Sequence, residues 1–136
     1  MDWKECCDKK IVKDVSIDFE LIESLMQTSS KKLESASRLS IDDVTAASVI
    51  SLCYDSLREL LEAIAAKRCF KIYNHECYTS FLKEILKEEV LCEKFDKIRK
   101  IRNGINYYGK DVSIEDALEI KSEIMFVIDR LKELLV

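Results

Sequence analysis

The sequence predicts an all-α fold: a five-helix up-and-down bundle, with four helices in its core and one added. Three observations predict it. Apolar residues recur at helical spacing in five segments. Proline is absent and only 2 glycines occur in 136 residues, whereas turn-rich β folds need both. Hydrophobic residues make up 48% of the chain, enough for one core at this length.

Residues 1–15 are charged and weakly patterned, and read as an N-terminal extension with one short helical turn and a frayed end. Trp3 carries no assignment. The helical domain is expected over residues 16–136. Its first helix runs from Ser16 to Leu39, with Ile17, Leu21, Leu25, Leu33 and Ala36 inward. The polar middle, Gln27-Thr28-Ser29-Ser30, either bends the helix or lets another backbone approach closely. The second helix, Asp42 to Lys67, has the clearest stripe: Ala46, Ile50, Cys53, Leu57, Leu60 and Ile64. Asp42 or Ser40 is placed to cap it.

Residues 67–74 read as an irregular connector. A third helix follows from His75 to Glu88, with Tyr78, Phe81, Leu82, Ile85 and Leu86 inward. The fourth spans Val90 to Tyr107, and Gly109 suits its C-terminal cap. The last begins after Ser113, with Glu115 and Asp116 favouring its positive end. Its inner side reads Ile114, Ala117, Leu118, Lys121, Ile124, Met125, Ile128, Leu131 and Leu135.

The net charge is −4, too acidic for a general nucleic-acid coat. Residues 67–110 nevertheless hold eleven Lys or Arg against six Asp or Glu, a local balance of +5. Such a field attracts phosphate-bearing ligands, although a solvated helical face has the same composition.

The 6 cysteines are scattered without a CxxC, and His75 is the sole histidine. The spacing gives neither a zinc site nor a disulfide framework, so no metal and no cofactor are expected. Free thiols point to a reducing, cytoplasmic setting. No apolar run is long enough to span a membrane, and the start of the chain lacks the pattern of a signal peptide.

Chemistry concentrates in Ile101-Arg102-Asn103-Gly104-Ile105-Asn106-Tyr107-Tyr108-Gly109, which holds both glycines. Arg102 continues the stripe of Leu91, Phe95 and Ile98. An arginine on a buried stripe must snorkel outward or sit in a polar cleft. Asn103 and Tyr107 are four apart and share a face. Arg102 lies about 100° to their side, so the three can surround one cleft. A guanidinium fork matches phosphate oxygens. An amide and a phenol add donors and an acceptor.

With the fourth helix placed, the chain resembles the HEPN domain superfamily, in particular its small archaeal and bacterial members. The run Lys97-Ile98-Arg99-Lys100-Ile101-Arg102-Asn103-Gly104-Ile105-Asn106-Tyr107-Tyr108-Gly109, the helical order and the final amphipathic helix carry the resemblance over residues 16–136. It implies an arginine, a polar residue and a histidine near the end of a bundle helix, metal-independent RNA cleavage at a dimer cleft, and pairing with a small nucleotidyltransferase as toxin and antitoxin. Arg102 fits the arginine and Asn103 the polar position. Tyr107 occupies the histidine position. With a pKa near 10, tyrosine is a poor general base at neutral pH.

The expected site is therefore Arg102 and Tyr107 for chemistry, with Asn103, Asn106, Tyr108 and His75 for ligand binding. His75 either caps and packs its helix or reaches the Arg102 cleft across an antiparallel helix pair. Three functions follow as expectations. One is a homodimeric HEPN-like component that binds RNA or a nucleotide phosphate and a nucleotidyltransferase partner. The second is an active metal-independent endoribonuclease. The third is a structural dimerisation module with Arg102 in an internal ion pair.

Overall fold

The computed structural model describes residues 1–108 and 111–135, with the side chains of 106–108 excepted. Among the described residues the elements run α1 (Trp3–Asp8), β1 (Val12–Asp14), α2 (Phe19–Ser37), α3 (Ala46–Lys67), β2 (Phe70–Ile72), α4 (His75–Ser80), α5 (Glu89–Tyr108) and α6 (Ile114–Leu135). The chain is mostly helical, as predicted. A π-helical stretch, Phe81–Ile85, continues α4.

α3 lies at the centre, against α2, α5, α6 and β2. All six residues of its predicted stripe are 3% exposed or less. Val49, Tyr54, Leu61 and Ala65 are buried as well, so neighbours surround the helix rather than cover one face. α5 contributes Leu91, Phe95 and Ile98 to the same core.

α2 keeps its predicted inner line over its C-terminal part: Ala36 is buried, Leu25 and Leu33 pack against the core, and Ser29 lies buried on the same line. Its start departs, because Ile22 is buried while Leu21 and, before the helix, Ile17 are exposed. Close approach to α3 is centred on Ser29. The Ser29 hydroxyl donates to the Ser56 carbonyl at 2.8 Å, and the Ser56 hydroxyl donates to the Ser29 carbonyl at 2.8 Å. Of the two readings of the small polar segment, close approach is the one realised. An ion pair between Lys32 and the buried Glu59 closes the same contact. On α6, Ala117, Ile124, Ile128 and Leu131 point inward as expected. Ile114 and Leu118 do not, because Ala117 and Ile120 take the inward positions of the first turns.

The all-α expectation is corrected at one point, a small sheet. β1 and β2 form an antiparallel ribbon that pairs Val12 with Ile72, Lys13 with Lys71 and Asp14 with Phe70. Three-residue strands are too short to display an alternation, and their pairing is long-range. The connector at 67–74 therefore contains a strand.

The N-terminal residues are likewise not frayed. Asp2 caps α1 by accepting from the Glu5 N–H at 2.8 Å. The Trp3 N–H donates to Glu84 at 2.7 Å. The Trp3 ring lies edge-on to Phe70 at 5.1 Å and tilted against Phe81 at 5.7 Å. Cys6 is fully buried and forms a disulfide with Cys77, 71 residues away. The expectation that every cysteine is free is overturned for this pair, and the thiol argument for a reducing compartment loses that part of its premise. Spacing failed as a guide because the folded ribbon brings these cysteines together. Cys7, Cys53, Cys69 and Cys92 are free.

With so few glycines, other residues end the helices. Lys10, Cys69 and Lys87 take left-handed φ values of 59°, 64° and 58°. They follow the ends of α1, α3 and the π stretch. Glycine would enter that region without a Cβ penalty. Ser113 accepts from the Asp116 N–H at 3.0 Å and starts α6 as predicted. Among the described residues, no helix is long and apolar enough to cross a membrane.

Candidate functional site: a cationic cluster around Tyr54

Tyr54 is on α3, one position beyond the Cys53 of the core stripe. It is 2% exposed. Its ring stacks nearly parallel to Phe95 of α5, at 6.2 Å and 12°. This stacking fixes the phenol between two elements. The hydroxyl reaches His75 Nδ1 at 2.7 Å. The ring itself meets the Arg102 guanidinium, whose Cζ is 5.7 Å from the centroid. Tyr54 thus connects His75 at the start of α4 to Arg102 near the end of α5.

Local chemistry positions each neighbour. Asn74 caps α4 by accepting from the Cys77 N–H at 2.8 Å, which sets the backbone entering His75. Arg58 lies one turn after Tyr54 and pairs with Glu62 at 3.5 Å. Arg99 lies three residues before Arg102 and pairs with Asp96 at 2.7 Å. Spacings of three and four bring each pair onto one helical face.

Among the described residues, Arg102 has no acidic partner, and its buried Nε and Nη1 have no hydrogen-bond partner. Arg99 Nε is in the same state. Buried donors on a charged group are expensive to leave unpaired. An anion in this cluster would satisfy them.

The electrostatics agree. Burial lowers the His75 pKa below its ordinary value, and Arg58, Arg99 and Arg102 lower it further against the opposing Asp55. The imidazole is therefore neutral at pH 7. Burial pushes the Tyr54 pKa up to about 12 despite the same three arginines, so the phenol keeps its proton. The protonated phenol and the neutral imidazole share one hydrogen bond; in the tautomer whose Nδ1–H donates to the phenol oxygen, Nε2 keeps the lone pair that can accept a proton.

Of the predicted site residues, Arg102 and His75 are brought together through Tyr54. Asn103 is half-buried beside Arg102. The side chains of Asn106, Tyr107 and Tyr108 lie outside the described residues. Sequence reasoning missed Tyr54, Arg58 and Arg99. The Tyr54-(x)3-Arg58 spacing was available as a signal, but Tyr54 reads as core and Arg58 as a solvated charge until α3 is known to face α5. Among the described residues, no cluster of three or more His, Cys, Asp or Glu side chains could hold a metal ion.

A groove of about 450 Å³ opens elsewhere, between α5 and α6. Ile101, Gly104 and Ile105 line one side and Ile120 the other. Its lining contains neither His75 nor Arg102. The cationic donors, unpartnered among the described residues, make the Tyr54 cluster the better candidate for chemistry. Lys97 and Lys100 form a basic rim along the groove, and Asp116 and Glu119 an acidic one.

No protein-family model matches the chain, and no curated protein shows significant similarity to it.

Proposed function

We propose that this chain is a HEPN-like component of a toxin–antitoxin or nucleotidyltransferase-type system, and that it binds RNA or a nucleotide phosphate at the Arg102 cluster. The observation that carries the proposal is the Arg102 guanidinium, with two buried nitrogens unpartnered among the described residues, held on Tyr54 beside His75. An arginine–phosphate contact is charge-assisted and worth about 1.5–3 kcal/mol net. Asn103, Asn106 and Tyr108 supply further polar contacts in this reading.

The same proposal includes an up-and-down arrangement of α2, α3, α5 and α6 as a four-helix core, with α4 added. It includes a homodimer, a cytoplasmic setting and a nucleotidyltransferase partner. The groove between α5 and α6 supports the homodimer. Lys97 and Lys100 are paired with Glu123 and Asp96 of the same chain, so a two-fold contact there would rest on the apolar lining of Ile101, Ile105 and Ile120.

A second reading is an active metal-independent endoribonuclease. The position of His75 favours it, because this imidazole is neutral and adjoins the arginines. In that reading Arg102 stabilises the charged phosphorane, and Tyr107 or His75 handles the proton. The third reading is a structural dimerisation module with Arg102 in an internal ion pair. Among the described residues none is present.

The test is binding and cleavage of a mixed RNA substrate by the wild type, Arg102→Ala and Tyr107→His. The proposal expects binding that weakens in Arg102→Ala, with slow or no wild-type cleavage. Loss of a general base typically costs about 10²–10⁴-fold in rate, and Tyr107→His is expected to restore part of it. Fast wild-type cleavage that survives Arg102→Ala would overturn the site.

A further inference from the structure

The outer face of the β1–β2 ribbon carries an arrangement that stability alone does not explain. Lys13 and Lys71 are directly opposed across the two strands. Like charges in that register destabilise a sheet. Among the described residues neither has an acidic partner within ion-pair distance. Both ammonium groups lie over the ring of Tyr73, each 5.4 Å from its centroid. Tyr73 is 56% exposed. Its N–H donates to the Ile11 carbonyl at 2.9 Å, so the backbone beneath the ring is fixed. Val12 and Ile72 point the other way, into the core. The ribbon thus presents an aromatic ring with two cations to solvent.

This ring is near in the chain to His75 of the Arg102 cluster. Tyr73 precedes His75 by two residues, and Asn74 between them is extended, with φ −139° and ψ 159°. Two extended residues span at most about 7 Å. The backbones of Tyr73 and His75 therefore lie within that distance, and His75 in turn connects to Arg102 through Tyr54.

We infer that the Lys13–Tyr73–Lys71 face is a stacking platform for a base of single-stranded nucleic acid, one of whose phosphates lies at Arg102. The inference deepens the function proposed above and rests on it for the Arg102 contact. It assigns the ligand as a single strand rather than a free mononucleotide. A flexible strand presents π faces and phosphates side by side, which matches a ring between ammonium groups. Base stacking on an aromatic matches or outweighs the two exposed cation–π contacts together. A base can therefore displace the ammonium groups from the ring and leave them to meet the phosphates. An acidic peptide offers carboxylates to the lysines but nothing flat for Tyr73.

The experiment measures fluorescence anisotropy of a labelled oligouridylate with the full chain, alongside the response of the His75 resonances to inorganic phosphate. Tyr73→Ala is expected to weaken oligouridylate binding about tenfold, with the phosphate response unchanged. Tyr73→Phe keeps the ring and is expected to bind as the wild type does. Lys13→Gln combined with Lys71→Gln is expected to lower the salt slope by about 1.4, for two phosphate contacts on a single strand. Absence of wild-type oligouridylate binding, or unchanged affinity in Tyr73→Ala, would overturn the platform. Arg102→Ala is expected to reduce both readouts. If the wild type gives no phosphate response but binds oligouridylate in a Tyr73-dependent way, the Arg102 reading fails and the platform stands.

Discussion

The Tyr54 hydroxyl lies 2.7 Å from His75 Nδ1 while the Tyr54 ring underlies the Arg102 guanidinium. One buried phenol therefore contacts both the imidazole and the guanidinium. The tyrosine holds this geometry through its stack on Phe95.

This relationship has a pH consequence. The folded-state pKa of His75 lies below its ordinary value of 6.5. The unfolded chain takes up a proton near 6.5 that the folded chain resists. The contribution of His75 to stability is therefore complete above pH 6.5 and falls as pH drops from there toward the folded pKa. As the single histidine of the chain, it gives unambiguous imidazole resonances. A proton NMR titration is expected to give a midpoint below 6.5, and Arg102→Ala is expected to move it upward. A midpoint above 6.5 would contradict the burial and the cationic surroundings.

Tyr54→Phe removes the hydroxyl and keeps the ring. It deprives a half-buried imidazole of its partner, which costs about 1–3 kcal/mol. Urea denaturation is expected to show a loss in that range with an unchanged m-value. A change within about 0.3 kcal/mol, below the usual net worth of one hydrogen bond, would mean that His75 does not depend on Tyr54.

The Cys6–Cys77 disulfide closes a separation of 71 residues. In the chain-entropy account a loop of that length contributes about 4 kcal/mol. Cys6→Ser is expected to lower stability by an amount of that order, and thermal melting of the oxidised wild type should exceed that of the reduced protein. Intact mass before and after alkylation checks that the bond is present. Full alkylation of all 6 cysteines without a reductant would remove it.

Lys87 has φ 58° and a side chain exposed to water. Lys87→Gly relieves a left-handed penalty of about 1–2 kcal/mol, partly offset by the entropy of the unfolded glycine. Stability is expected to rise by about 0.5–1 kcal/mol, where glycine within a helix would lower it. A loss of stability in denaturant titrations would show that the Lys87 side chain matters more than its backbone.

Periodic features were legible in the sequence, and long-range ones were not. The α3 stripe from Ala46 to Ile64 could be read because helical spacing repeats within one element. Arg102 stood out because it continues the line of Leu91, Phe95 and Ile98. The antiparallel argument that brought His75 toward Arg102 depended only on helix order. Tyr54 was hidden because an aromatic next to a core stripe is normally core. It is core, and it also presents a hydroxyl to His75. The ribbon and the Cys6–Cys77 bond were hidden because both join residues about sixty or more positions apart. The start of α2 was misread because Leu21 and Ile22 are adjacent and both apolar, so the pattern could not say which turns inward; Ile22 does.

The central claim is that the Arg102–Tyr54–His75 cluster binds a phosphate group. Its most direct test follows the His75 imidazole resonances by NMR during titration with inorganic phosphate, in the wild type and in Arg102→Ala. Bound anion stabilises the protonated imidazole, so the account predicts a saturable shift and a rise in the His75 pKa in the wild type, both lost in Arg102→Ala. Wild-type resonances that do not respond, or that respond equally in Arg102→Ala, would contradict it.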